Sequence, residues 1–435
     1  MTRGFLFRNG TPGSHPDSYY AATANKLAPF PVLEGDADCD VCIIGGGFTG
    51  LSAALELAER GLRVVLLEAH RAGWGASGRN GGQAGSGQRR DQDWLERAAG
   101  REDARRLWDI AQQAKALLKE RVARHAIACD LKPGILHVNH KRGLVVEDHA
   151  YVEKLRSEYG YEDIRAVSDA EAREMLGSTM YFGGSLDMGA AHLHPLNFAL
   201  GLAEAARAAG ARIFERSPAA SFKAGDPAAV RTAQGSVRAR FVILACNGYL
   251  DGLSPRIAAR VMPINNFVIA TEPLGDERAR QIIREDVAVA DSKFVINYFR
   301  LSADRRLLFG GGETYSYEFP EDIKAFVRPY MLRVYPQLAD ARIDYGWGGT
   351  LGITMSRMPC FARLGPNVLN ASGYSGHGVA LATLAGQILA EAVEGTFGRF
   401  DVMARIPARA FPGGTRLRFP LLVLAMLWYG LRDRL

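Results

Sequence analysis

A chain of 435 residues that is 48% hydrophobic and 23% charged can bury a large core and is long enough for two domains. Its formal charge of +6 comes without any basic block interleaved with aromatics, so nucleic-acid binding has no support and acidic partners or anionic lipid are mildly favoured. An odd cysteine count, five, and an N-terminus with no basic segment running into an apolar core predict a reducing cytoplasm rather than secretion.

Residues 1–38, rich in Gly, Pro and Tyr, read as an irregular arm over the first domain. The organising stretch follows, Asp40 to Gly82. Val41, Ile43 and Ile44 form an apolar strand that runs into Gly45, Gly47 and Gly50 at the G-x-G-x-x-G spacing. Leu51, Ala54, Leu55 and Ala58 then repeat at helical intervals, Gly61 stops the helix, and Leu62 to Leu67 reads as a second buried strand ending in Glu68. In a dinucleotide-binding βαβ unit the first glycine permits the turn, the second admits a pyrophosphate and the third lets helix pack on strand. The pyrophosphate faces free N–H groups and the positive end of the helix dipole. Glu68, 18 residues past Gly50, is placed to accept hydrogen bonds from an adenosine ribose. The motif does not choose between NAD and FAD. Cys39 and Cys42 form a C-x-x-C, but residues three apart on a strand are expected to point to opposite faces, which disfavours a disulfide or a metal.

A second glycine-rich loop follows, with Gly73, Gly75, Gly78, Gly81 and Gly82 interspersed with Ser77, Arg79 and Asn80. Missing side chains suit extended backbone lying against a flat ligand, the alternative being a flexible surface loop. Asp93 to Arg124 reads as one amphipathic helix, followed by a strand at Gly134 to Val138, a charged helix from Asp148 to Tyr159, and a helix opened by a capping box of Ser168 and Glu171. His192 and His194 would share a face if extended. No carboxylate or third histidine lies at ligand spacing and Pro195 looks like a first helical residue, so no metal is predicted.

Helix 196–209 and strand 211–215 precede a hairpin whose second arm ends in the fully apolar FVILAC, residues 241–246, followed by Asn247, Gly248 and Tyr249. A buried strand returning so late makes the first domain discontinuous. Val261 to Trp347 alternates apolar and polar residues, as in FVINYFRLS, and reads as an antiparallel sheet in a second domain. Near the end, a strand from Val368, the turn Gly373 to Gly378 and a long small-residue helix recur, aiming helix N–H groups at a ligand. There is no second complete G-x-G-x-x-G followed by an acid, hence no separate NAD(P)H domain. The apolar tail Phe419 to Leu431 lies between Arg416, Arg418, Arg432 and Arg434. It is too short to span a bilayer, which takes about 20 residues, and reads as a docked terminal helix or, alternatively, a membrane-surface segment.

Taken together, the stretches SYYAATANKLAPF, CDVCIIGGGFTGLSAALELAERG, GASGRNGGQ, HPLNFALGLAEAARAAGARIFE, RLLFGGG, ASGYSGHG and the closing LRDRL resemble the D-amino-acid oxidase and glycine oxidase superfamily of FAD enzymes, and look most like its γ-glutamylputrescine oxidase branch. The resemblance implies a glutathione-reductase-type flavoprotein fold, α/β (α+β overall): a Rossmann-like FAD-binding domain from 1–95, 190–262 and 346–435, and an antiparallel-sheet substrate domain from 96–189 and 263–345. It implies FAD along Gly45, Gly47, Phe48, Thr49 and Gly50, Glu68 and Ala69, Ser77, Gly78, Arg79, Asn80, Gly81 and Gly82, Ala245, Gly248 and Tyr249, and Gly373, Ser375, Gly376, His377 and Gly378. Relatives that attach flavin do so through a cysteine just before the last strand. Gly348, Gly349 and Thr350 stand in that region and Cys360 lies later, so noncovalent FAD is expected.

The chemistry so implied is hydride removal from the carbon beside a neutral amine to flavin N5, giving an imine that water hydrolyses. Amino-acid oxidases hold the substrate carboxylate with an arginine in the Gly348 region; none stands there, Arg357 is near in sequence, and Arg300 could substitute. Tyr298, Arg300, Trp347 and Arg357 are the candidate substrate wall, with His377 near the ring. The substrate expected is an amine or γ-glutamylated polyamine. The alternatives are a secondary amino acid (pipecolate, proline or sarcosine), and a dehydrogenase docked at the inner face of the membrane that passes electrons to quinone instead of oxygen.

Overall fold

The computed structural model describes residues 4–314, 316–415, 417, 418, 420 and 423. Among them the strands form two sheets, of eight and nine strands. The first is built on β1 (Gly35–Ile44) and β2 (Val64–Leu67), parallel neighbours joined by helix α1 (Phe48–Glu59). The second gathers β3 (Gln83–Ala84), β4 (Lys132–Val138), β5 (Ile164–Val167) and β6 (Gly184–His192), reached through helices α2 (Gln92–Ala99) and α3 (Arg101–Arg124). After helix α4 (Pro195–Ala208) the chain returns to the first sheet with β7 (Arg212–Phe214), β8 (Ser221–Lys223), β9 (Ala228–Arg231) and β10 (Gly235–Leu244). It crosses again for β11 (Met262–Thr271), β12 (Ala288–Asp291), β13 (Tyr298–Leu301), β14 (Leu307–Glu313) and β15 (Ile343–Ile353). It ends in the first sheet with β16 (Cys360–Arg363), β17 (Val368–Ser372) and helix α5 (Gly378–Val393).

The main order of the first sheet is β16-β17-β10-β1-β2-β7. The late apolar strand β10 lies parallel to β1, with Ile243 opposite Ile43. Covered on both faces, these strands are apolar from Val41 and from Phe241 to their ends, as buried parallel strands require. Helices α1, α4 and α5 cover one face in a core that includes Val41, Ile43, Leu51, Phe198 and Leu384. Helix α1 meets α5 closely: a Cβ on Gly386 would lie 2.5 Å from the Cβ of Ser52. A buried ion pair between Arg121 and Glu56, 2.7 Å, braces α3 against the same helix. The second sheet runs β15-β11-β14-β13-β12-β4-β6-β3 and is antiparallel apart from the β4–β12 pair. Its own core collects Phe267, Phe299, Phe309 and Tyr335.

Three expectations need correction. The helical stretch 93–124 is two helices, broken at Gly100, whose φ of +84° ends α2 and starts α3. Cys39 and Cys42 do not face opposite sides; both pack in the same apolar layer with Val237 and Val242. The N–H groups of Asp40 and Val41 both donate to the Arg63 carbonyl, and β10 slips in step, Ala239 and Val242 lying in that same layer in unshifted register with β1. All five cysteines are free thiols. Finally, the N-terminal arm is not confined to the first domain. Phe5 and Leu6 donate through their N–H groups to Asp251, whereas Tyr19 donates to Asp304, and the Tyr20 ring meets Trp347 edge-on at 5.1 Å, so the arm straddles both sheets. The Ser168 cap holds as read, its Oγ accepting from the Glu171 N–H at 3.3 Å. The apolar tail 419–431 lies almost wholly outside the described residues, and no helix among those described is long and apolar enough to cross a membrane.

Candidate active site

Four stretches singled out in the sequence meet at one edge of the first sheet. Gly45 to Gly50 follows the C-terminal end of β1, Glu68 that of β2, Ala245 to Tyr249 that of β10, and Gly373 to Gly378 that of β17. From β1 the sheet extends through β2 in one direction and through β10 in the other. The crevice outside β1 and β10 is therefore a topological switch point, where open α/β sheets bind their ligands.

The local geometry there explains the residue types. A Cβ on Gly50 would sit 1.9 Å from the Gly45 carbonyl oxygen, so only glycine lets α1 start this close to the end of β1. Gly47 is the N-cap of α1 and offers no side-chain acceptor; the Ser77 Oγ accepts from the Phe48 N–H at 2.9 Å. Thr49 is tied to the last turn through a 2.7 Å bond between its hydroxyl and that of Tyr374. Glu68 is buried, accepting from the Gly46 N–H at 2.6 Å and the His70 N–H at 2.8 Å, and burial raises its carboxyl to about 7. Ala69 follows it, half-buried.

The second glycine loop is an ordered element, not a flexible one. Asn80 donates to the Ala76 and Ser77 carbonyls and accepts from the Gly82 N–H at 2.7 Å. Gly78 packs so tightly that a Cβ would lie 2.2 Å from the Gly73 carbonyl oxygen. Arg79 is buried, donating from Nε to the Trp74 carbonyl at 2.6 Å and from Nη1 to the Gly348 carbonyl at 3.1 Å, with its guanidinium 4.1 Å from the Trp74 ring. Its Nη2 has no hydrogen-bond partner among the described residues, and burial lowers its pKa. Tyr249 accepts from the Thr350 N–H at 3.0 Å, and a Cβ on Gly248 would touch the backbone at Leu351. Gly373 donates to the Asn247 side chain at 2.9 Å, and Ser375 takes a φ of +53° beside the exposed Gly376.

The candidate wall residues divide. Tyr298 on β13 is wedged between loop and sheet, because a Cβ on Gly81 would meet its ring at 2.6 Å and one on Gly310 at 2.1 Å; its hydroxyl donates to Asn266. Arg300 is almost wholly buried, with donors directed at the Gly81, Leu193 and Leu301 carbonyls at 3.0, 2.8 and 3.1 Å. Trp347 is buried as well, its Nε1 donating to the Arg79 carbonyl at 3.0 Å. Both therefore hold the glycine loop against the second sheet. Arg357 is half-buried, with a φ of +66°. His377 is the N-cap of α5; its Nε2 lies 3.1 Å from the Gly87 carbonyl, and burial, followed by the charge of Arg89, pushes its imidazole down to about 4. His192 and His194 are not paired on a ligand. His192 meets the Asp286 carbonyl at 3.0 Å, and His194 caps α4 by accepting from the Asn197 N–H at 3.1 Å.

Sequence reasoning missed Arg89, His137 and Lys115. Arg89 donates to the Ser375 carbonyl, two residues from His377, and its charge lowers the pKa of both His377 and His137. Lys115 donates to Ser86 at 2.5 Å and Tyr161 at 2.8 Å behind the loop, and burial pushes it down to about 8. The signal for Arg89 was its place just beyond the second glycine loop; Lys115 and His137 gave none.

Residues 40–392 match the family model of the FAD dependent oxidoreductases, DAO. The chain belongs to the DAO family of FAD-dependent oxidoreductases. It is 44% identical over 424 residues to the gamma-glutamylputrescine oxidoreductase of Escherichia coli (strain K12), covering 97% of this chain and 99% of that protein. It is 43% identical over 418 residues to a probable oxidoreductase, OrdL, of Rhizobium meliloti (strain 1021), covering 96% and 97%. The fold matches that of glycine oxidase from Geobacillus kaustophilus with a TM-score of 0.72 at 21% identity, over 86% of this chain and 99% of that one. The chain is thus an FAD-dependent oxidoreductase. Its residues fit the cofactor: the glycine turn leaves room only for backbone, and Arg79 carries a buried donor unpartnered among the described residues.

Proposed function

We propose that this enzyme oxidises the C–N bond of an amine of the γ-glutamylputrescine or polyamine type to an imine, which water hydrolyses to an aldehyde. The reading rests on one observation above all, the 44% identity carried across 97% of the chain to a gamma-glutamylputrescine oxidoreductase. FAD, when bound, supplies the hydride acceptor. Gly45, Gly47, Phe48, Thr49 and Gly50 hold its pyrophosphate and Glu68 its ribose, with Ala69, Ala245, Gly248 and Tyr249 alongside. Ser77 to Gly82 and Gly373 to Gly378 flank the ring. Residues 1–95, 190–262 and 346–435 form the cofactor domain, and 96–189 with 263–345 the substrate domain.

Binding is noncovalent in this proposal. Gly348 to Thr350 offer no thiol, and Cys360 is buried in the layer beneath β16, its pKa raised to about 11 by burial. Tyr298 and Arg357 line the substrate side and Arg300 and Trp347 hold the loop that faces it. His377, neutral above about pH 5, adds no charge that would compete for the substrate amine. Excluding water and fixing the reacting carbon are the tasks left to these side chains. Oxygen or quinone takes up the electrons in a cytoplasmic enzyme, with residues 419–431 a docked terminal helix or, alternatively, a contact with the inner face of the membrane.

Anaerobic mixing of the holoenzyme with polyamines, γ-glutamyl amines, and cyclic or N-methyl amino acids tests the substrate. Bleaching of the 450 nm region, roughly where oxidised flavins absorb, by the first two classes is expected. Bleaching only by pipecolate, proline or sarcosine would replace this reading with the amino-acid one. Co-sedimentation with anionic vesicles, compared between the full chain and one ending at Arg418, tests membrane contact, and equal partitioning would end it.

A further inference from the structure

Arg89 is held in place by backbone rather than by an anion. Half-buried, it donates from Nε to the Ser375 carbonyl at 3.2 Å, which anchors it to the turn before α5. Arg90 is anchored likewise on the Ser356 carbonyl at 2.9 Å, with its guanidinium 4.9 Å from the Trp94 ring. Arg357, in its left-handed conformation between these two anchor segments, lays its guanidinium 5.6 Å from the Phe294 ring. Among the described residues neither Arg89 nor Arg90 has a carboxylate within 4.0 Å. Burial together with the charges of Arg357 and Arg90 pushes Arg89 down to about 10.

His137, on β4, is open to solvent, and its imidazole pKa is lowered, by burial first and by the charge of Arg89 among the smaller causes. The acids facing it are already engaged: Asp187 accepts from Tyr161 at 2.5 Å and from the Ala190 N–H at 3.0 Å, and Asp148 from Ser185 at 3.2 Å. An enclosed guanidinium with cationic neighbours and no counter-ion is costly, and an incoming carboxylate relieves that cost. The planar fork of arginine suits a carboxylate in particular.

We propose that Arg89 is the carboxylate-recognition residue of the substrate cleft, receiving the α-carboxylate of a γ-glutamylated amine while the amine at the other end is oxidised. This rests on the amine-oxidation reading above and adds what separates a γ-glutamyl amine from the bare diamine.

The test uses the holoenzyme in wild-type, Arg89→Gln and Arg89→Lys forms. Calorimetric titration with γ-glutamylbutylamide, which lacks the oxidisable amine, gives Kd without turnover. The ratio of kcat/KM for γ-glutamylputrescine over putrescine gives selectivity. In Arg89→Gln, Kd is expected to rise and the ratio to fall by roughly 10- to 100-fold, with partial recovery in Arg89→Lys. An unchanged Kd and ratio would overturn the proposal. So would a shifted flavin spectrum in ligand-free Arg89→Gln with equal losses on both substrates, since that puts the guanidinium on the cofactor. If wild type ignores γ-glutamyl amines but binds a short amino acid that Arg89→Gln loses, the γ-glutamyl reading fails and the carboxylate role of Arg89 stands.

Discussion

Replacing Arg300 by methionine separates two roles for a buried arginine. As a substrate ligand its loss would raise KM and leave the fold intact. The structure instead gives it three backbone acceptors, the carbonyls of Gly81, Leu193 and Leu301, at 2.8 to 3.1 Å. Two of these belong to different segments, the glycine loop and the entry to α4, so the guanidinium fastens both to β13. Each buried carbonyl left without its donor costs about 1–3 kcal/mol. The methionine recovers part of that, because the guanidinium no longer has to be desolvated. A net loss of about 3–5 kcal/mol follows. With about 2.1 cal/mol/K of unfolding entropy per residue over 435 residues, that lowers Tm by roughly 3–5 °C if the chain melts as one unit. Differential scanning fluorimetry of the apo and FAD-loaded forms measures it, and FAD should also dissociate more readily if Gly81 flanks the ring as proposed. An Arg300→Met enzyme with unchanged Tm and FAD retention, but a raised KM confined to carboxylate-bearing substrates, would refute this reasoning.

Gly50→Ala should abolish stable FAD retention and destabilise the chain by about 1–3 kcal/mol, since the new methyl must displace the Gly45 carbonyl 1.9 Å away; ultrafiltration of the purified protein measures the flavin kept. Tyr374→Phe removes the buried 2.7 Å bond to Thr49 and leaves that hydroxyl unpaired, costing about 1–2 kcal/mol in chemical denaturation. Burial, followed by the charge of Arg300, lowers His194 to about 3 in the folded chain against 6.5 in the unfolded one. The unfolded state therefore takes up the proton first, and stability falls as pH drops from about 6.5 towards 3. In His194→Asn, which keeps a capping acceptor for the Asn197 N–H, the slope of unfolding free energy against pH in that window should lessen by up to about 1.4 kcal/mol per pH unit. An unaltered slope would show that His194 is not the titrating group.

Much of the cofactor-binding half was legible because its determinants are local. The Gly45, Gly47, Gly50 spacing, the helix period after it and the acid at 68 all fall within 24 residues, and local sterics dictate them. The misreadings had local and distant causes. Gly100, at φ +84°, split a period that the apolar residues carry through, and Cys39 and Cys42 share a layer with Ala239 and Val242 of the paired strand β10. Arg300 and Trp347 read as wall residues because their types suit binding, whereas their partners, Gly81, Leu193 and Arg79, lie 107 residues or more away.

By itself, then, the sequence determined that a parallel βαβ unit binds a dinucleotide and, through the family resemblance, that the dinucleotide is FAD. Glycine spacing and hydrophobic period are properties of neighbours along the chain. Only the tertiary structure decided which side chains gather beside the Ser375 to His377 turn. Arg89, Arg357, His137 and His377 come from four separate segments, and which of them share one electrostatic environment depends on which strands the folded sheets bring together.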